Sequence, residues 1–151
     1  MSATPTAHLN FAGTARAALE FYAAAFSGSA IIRTYAEFGM PAELPGADRV
    51  VYGQVFGVDG FTVMAYDIPG ADAPRLPGAT HRENGTTVTD QSFFLALSGA
   101  SLEEVQTWWD ALAADATVVE PLAASAWSPG FGMLTDRFGV TWTFSVVAPH
   151  A

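Results

Sequence analysis

Apolar and polar positions along this chain form two successive series, and each series changes period in the same order. His8-Leu9-Asn10-Phe11 reads as the end of a strand. Behind it, Ala17, Ala18, Phe21, Tyr22, Ala25 and Phe26 recur at helical spacing, with Gly13-Thr14 at the start and Gly28 placed for a C-cap. Ile31 to Tyr35 is β-branched and aromatic, which predicts a strand. Phe38 to Asp48 carries Gly39, Pro41, Pro45 and Gly46 and reads as a loop. Val50–Phe56 and Phe61–Tyr66 follow as strands, joined into a hairpin by Gly57-Val58-Asp59-Gly60.

Between 69 and 90 the pattern lapses. Pro69, Gly70, Pro74, Pro77 and Gly78 precede a polar tract from Thr80 to Gln91, so this stretch is expected to be a loop joining two modules, about 6–68 and 91–148. The second module repeats the order of the first. Ser92–Leu97 predicts a strand, and Ser101 to about Ala113 a helix that opens with the capping-box spacing Ser101-x-x-Glu104. Val105, Trp108 and Leu112 would form its buried stripe, matching Leu19, Tyr22 and Phe26 at a constant offset. Thr117–Leu122, Phe131–Leu134 and Val140–Val147 complete the series, with 123–130 as a loop.

The segment Phe11-Ala12-Gly13-Thr14-Ala15-Arg16-Ala17-Ala18-Leu19 is thus echoed by Leu97-Ser98-Gly99-Ala100-Ser101-Leu102-Glu103-Glu104-Val105. Two halves of order β-α-β-β-β argue for a duplicated α+β fold. Each half would supply a curved sheet with a helix outside, and the two concave faces would enclose a central cavity.

Composition narrows the chemistry. At 151 residues the chain suits a single domain of two such modules. There is no cysteine, which removes disulfides and thiolate chemistry and fits a reducing, cytoplasmic setting. No apolar run approaches a membrane span, and the first residues lack a signal-peptide pattern. Neither nucleic acid nor a membrane is therefore expected as a partner. The net charge is -9 and all six basic residues are arginine, the opposite of a nucleic-acid footprint. Such a charge permits attraction of cationic small molecules, although plain solubility is the simpler account of it.

Certain runs resemble a known family. Leu9-Asn10-Phe11-Ala12-Gly13 with Ala18-x-x-Phe21-Tyr22 is similar to the opening of the vicinal oxygen chelate superfamily, which includes glyoxalase I, extradiol dioxygenases and bleomycin-resistance proteins. The run Phe131-Gly132-Met133-Leu134-Thr135-Asp136-Arg137-Phe138-Gly139-Val140-x-Trp142 resembles its PhnB-like branch, the 3-demethylubiquinone methyltransferase-like domain. Val50-Val51-Tyr52-Gly53-Gln54-Val55 and Val63-Met64-Ala65-Tyr66-Asp67 fit the same branch. The resemblance implies two βαβββ modules forming curved mixed sheets around a cavity, and a homodimer. It does not extend to methyl transfer, because no glycine-rich nucleotide loop opens a helix after a strand.

In metal-dependent relatives, His, Glu or Gln side chains from central strands hold a divalent ion that polarises a substrate oxygen. Carried over residue by residue, those positions fall here on Ala7 or, with a one-residue slip, His8, and on Ser92 or Phe93. The closing strands offer Met64 and Thr143, and Tyr52 stands where the branch often has histidine. That set is not a usual divalent-metal site, so neither metal nor cofactor is expected. If Ala7 points into the cavity, His8 points away from it, as an outward or interface residue.

Asp136 and Asp67 are expected to bond backbone amides at turns and strand ends. Glu37, Glu43 and Glu120 lie near possible rims without the spacing of an acid–base pair. The candidate ligand-binding set is Tyr52, Met64, Tyr66, Phe93, Trp127, Phe131, Trp142 and Thr143, and no residue is assigned a catalytic role. The expected function is binding of a small, partly apolar or aromatic molecule between the modules without metal. The alternative is a lyase, isomerase or dioxygenase with an atypical site, so the sequence leaves enzymatic activity open.

Overall fold

The computed structural model describes residues 2–73, 79–126 and 128–147, and these fall into two units, residues 1–75 and 76–151. In the first, β1 (His8–Phe11) leads into α1 (Ala15–Ala25), followed by β2 (Ser29–Thr34), β3 (Val50–Phe56) and β4 (Thr62–Asp67). The sheet order is β1-β4-β3-β2, with β1 parallel to β4 and the other pairs antiparallel. Alternation sorts its faces: Leu9, Gly53, Val55, Val63 and Ala65 are buried, as are Ala15, Ala18, Leu19 and Tyr22 of the helix. Gly53 is what lets α1 settle, since a Cβ there would lie 2.2 Å from a Leu19 methyl. The buried helical stripe therefore starts from Ala15, Ala18 and Leu19, while Ala17 is exposed.

Both ends of α1 are held in ways the pattern of residue types did not announce. Thr14 makes no side-chain cap. Asp67, at the far end of β4, takes that part: its Oδ1 accepts from the Gly13 and Ala15 amides at 2.8 and 3.0 Å. At the other end, Ser27 rather than Gly28 adopts the left-handed conformation, with φ 51°. The Ser27 and Gly28 amides close a Schellman motif onto Ala24 and Ala23. Gly28 is needed for another reason, because a Cβ would sit 2.1 Å from the Phe56 carbonyl oxygen.

The second unit opens with strands where the sequence predicted a loop. β5 (Thr80–Glu83) and β6 (Thr86–Thr89) pair antiparallel in register across Asn84-Gly85, both with positive φ. Asn-Gly is the dipeptide a two-residue hairpin turn requires, and it is the signal that the polar composition of 80–91 concealed. Residues 74–78, also within the expected linker, lie outside the described residues. Then come β7 (Leu95–Gly99), α2 (Leu102–Leu112), β8 (Thr117–Ala123), β9 (Phe131–Thr135) and β10 (Thr141–Val146). Their order, β7-β10-β9-β8 with β7 parallel to β10, repeats that of the first sheet.

Here α2 is capped locally: the Glu104 amide donates to Ser101 Oγ at 3.2 Å, and Glu104 Oε2 accepts from the Ala100 amide at 2.8 Å. Its buried stripe is Val105, Trp109 and Leu112; Trp108 is only half-buried. Four-residue spacing turns Trp109 inward, edge-on to Phe144 with ring centroids 5.1 Å apart. Gly132 makes room for that indole, since a Cβ would lie 2.8 Å from it. The modules thus share topology but fill the helix–sheet contact from different positions, Tyr22 in one and Trp109 in the other. Among the described residues no helix is long and apolar enough to cross a membrane.

Candidate functional site

On the first sheet, the residues between the buried ones face away from α1. His8 pairs with Met64, Met64 with Gln54 and Gln54 with Ile31, so one transverse row crosses all four strands. Neighbouring positions add Asn10 beside Tyr66, and Tyr52 beside Arg33. Tyr52, Gln54, Met64 and Tyr66 are half-buried. This pairing overturns the expected orientation of His8. It lies on the same face as Met64, because the strand register matches His8, not Ala7, to Met64.

The polar groups on this face are preorganised. The Tyr52 hydroxyl donates to Gln54 Oε1 at 2.7 Å, and Gln54 Nε2 donates to Thr62 Oγ1 at 3.0 Å. His8 Nδ1 and Asn10 Oδ1 share a hydrogen bond of 2.9 Å, while the imidazole meets the Tyr66 ring edge-on at 5.2 Å. A thioether and two phenol rings therefore stand among fixed amide and hydroxyl groups, a mixture suited to a flat, partly apolar molecule.

The corresponding face of the second sheet is covered by the module's own hairpin. Glu120 and Thr143 both pair with Met133, and Ser145 with Phe131, which places these side chains opposite α2. The Arg82 guanidinium lies over the Phe131 ring at 5.3 Å and its Nε is 3.9 Å from Glu120 Oε2. Arg82 Nη1 donates to Thr87 Oγ1 at 2.8 Å, and that hydroxyl contacts Met133 Sδ at 3.9 Å. Met133 is fully buried.

The eight candidates consequently divide. Tyr52, Met64 and Tyr66 come together on the helix-free face of the first sheet. Phe131 and Thr143, both half-buried, lie on the helix-free face of the second, with Arg82 over Phe131. Phe93 precedes β7 and is 57% exposed. Trp142 belongs to the α2-facing core: it is 0% exposed, pairs with Leu95 and Leu134, and donates its indole N–H to Asp136 Oδ2 at 2.9 Å. That burial leaves it no surface for a ligand. Trp127 lies outside the described residues.

The expected carboxylate roles hold for both aspartates. Asp136 Oδ1 accepts from the Phe138 and Val140 amides at 2.9 and 3.0 Å. Asp67 Oδ2 accepts from Val50 at 2.9 Å, in addition to its two bonds at α1. Glu37 Oε2 accepts from the Thr34 amide at 3.0 Å, and the Glu37 amide donates to Thr34 Oγ1 at 3.3 Å. As for a metal, His8, Met64 and Gln54 supply one imidazole, a thioether and an amide, which does not fit a divalent ion. Among the described residues no three His, Cys, Asp or Glu side chains gather to hold one.

Residues 3–145 match the family described as 3-demethylubiquinone-9 3-methyltransferase. The chain belongs to that family. Within this PhnB-like group, it is 26% identical over 144 residues to Protein YjdN of Escherichia coli K12, covering 93% of this chain and 92% of that protein. A putative 3-demethylubiquinone-9 3-methyltransferase, PhnB protein, from Bacillus cereus superposes with a TM-score of 0.67 at 22% identity, over 96% of this chain and all of that one. A glyoxylase/bleomycin resistance protein/dioxygenase domain from Frankia sp. EAN1pec gives 0.64 at 11% identity, over 98% and 99%. The PhnB-like chain thus has the glyoxalase/bleomycin-resistance fold.

Proposed function

We propose that this PhnB-like protein binds a small, partly apolar or aromatic molecule on the helix-free face of its first sheet, without a metal ion. The observation that carries this reading is the row His8–Met64–Gln54–Ile31 flanked by Tyr52 and Tyr66, in which Tyr52, Gln54, Met64 and Tyr66 are half-buried and the Tyr52–Gln54–Thr62 hydrogen bonds are already made. Aromatic rings and the Met64 thioether supply contact area, and the Gln54 amide and Tyr52 hydroxyl fix orientation. The donor set supports metal independence, because a single imidazole beside a thioether offers no polydentate site.

The four methionines make the test compact, since Met64 stands on this face and Met133 lies beneath the hairpin. With methyl-labelled methionine, the neutral aromatic probe indole is expected to move the Met64 resonance and leave Met133 in place. Metal analysis of untagged protein purified without chelator is expected to find well under one equivalent of Fe, Mn, Ni or Zn. A stoichiometric ion defeats the metal-free reading, and an unmoved Met64 signal at millimolar indole defeats the binding reading.

A further inference from the structure

A recess lies wholly within the first module, beyond the end of β4. It encloses about 280 Å³, near the lower limit of small-ligand sites. Its walls are mostly apolar, with Met40, Ile68 and Pro69 prominent, and the Tyr35 ring beside them. The Tyr35 hydroxyl is already committed, donating to the Asp67 carbonyl at 2.6 Å. The cation of the recess is Arg49.

Arg49 is held but not saturated. Its guanidinium packs on the glycine turn before α1, where a Cβ at Gly13 would lie 3.3 Å from Cζ. Nη1 donates to the Ala71 carbonyl at 2.6 Å. Nη2 faces Asp72 Oδ1 at 3.8 Å, beyond hydrogen-bond length, and the Asp72 side chain is 92% exposed. The Arg49 side chain is 30% exposed. A guanidinium anchored through one nitrogen, with a loose solvent-borne carboxylate opposite the other, is arranged to take a better-placed carboxylate.

We infer that this recess is an anion-anchored binding site for a small carboxylate with a flat or apolar tail, in which Asp72 is an intramolecular occupant that the ligand displaces. The tail lies against Met40 and Ile68 while the carboxylate engages Arg49. A neutral ligand of the same shape lacks the anchor. An ammonium ligand meets Arg49 as a like charge.

Benzoate is the probe, with benzyl alcohol as its neutral counterpart, and the Met40 methyl is the reporter. Benzoate is expected to move the Met40 resonance saturably, and benzyl alcohol to bind at least about tenfold more weakly. Arg49→Gln is expected to weaken benzoate by roughly 10–100-fold. Asp72→Asn, at an exposed side chain that does not endanger folding, is expected to tighten it by up to about fivefold. The opposite signs separate an anion site from a merely apolar recess. No Met40 shift at millimolar benzoate, or an affinity unchanged in either variant, overturns the inference. Because indole is read at Met64 and benzoate at Met40, failure at one site is distinguishable from failure at the other.

Discussion

Asp67 shows how one side chain can fasten three parts of a module. With 1% exposure, it accepts from amides at the start of α1 and the start of β3 while closing β4. Removing a buried charged acceptor strands its donors, so Asp67→Ala should cost about 2–4 kcal/mol. The melting temperature should then fall by roughly 5–15 °C, with Asp67→Asn milder. Tyr35 is tied to the same point, and burial, with the Tyr66 phenol and the Asp67 carboxylate nearby, pushes its phenol above the ordinary value. A raised acid pKa in the folded state means that folding favours the protonated phenol. Its stabilising contribution is therefore full below about pH 10 and is lost as pH climbs through the folded value. The difference in phenolate absorbance between the native protein and Tyr35→Phe should be a component that ionises above the ordinary phenol range. A native titration indistinguishable between the two proteins would contradict this.

At the level of elements, regular periodicity was legible and local compensation was not. The strand spans β1 and β3 and the capping box of α2 follow directly from residue pattern, because they rest on neighbours in sequence. The substitution of Asp67 for a missing cap, and of Ser27 for a glycine in the left-handed position, depends on partners that periodicity does not reveal. His8 was misoriented for a related reason: a strand's face is settled by its partner's register, and no residue type in β1 encodes that register alone. The hairpin β5–β6 was legible in Asn84-Gly85 but hidden by the surrounding polar tract. Replacing Gly85, with φ 75°, by alanine should destabilise the turn by about 1 kcal/mol. Faster amide exchange at His81 and Val88, a hydrogen-bonded pair of the ladder, together with a shift of the Met133 methyl, is the expected signature. Exchange confined to the turn, with Met133 unmoved, would show that the hairpin's hold on the sheet does not depend on its register.

Taken as a whole molecule, the chain repeats an architecture without repeating its surfaces. The shared strand order was visible in the duplicated strand–glycine–helix segment, and it accounts for membership of a PhnB-like family. The candidate site was less legible, because the symmetric reading assigned ligand-facing residues to both halves. In the first module those positions form the helix-free face with Tyr52, Met64 and Tyr66. In the second, Arg82 and Thr87 of the hairpin meet Phe131 and Met133, while Trp142 fills the core beneath α2. Aromatic composition pointed toward a pocket, but burial and side of the sheet divide the rings between packing and exposure.

The division into residues 1–75 and 76–151 also sorts the chromophores. All four tyrosines, 22, 35, 52 and 66, fall in the first unit, and all four tryptophans, 108, 109, 127 and 142, in the second. Tryptophan emission is therefore an optical label for one half, and tyrosine absorbance, separated from the overlapping indole band in the derivative spectrum, for the other, with no dye or engineered residue. A denaturation experiment on the unaltered protein yields two separate traces, and each can be attributed to its own sheet and helix.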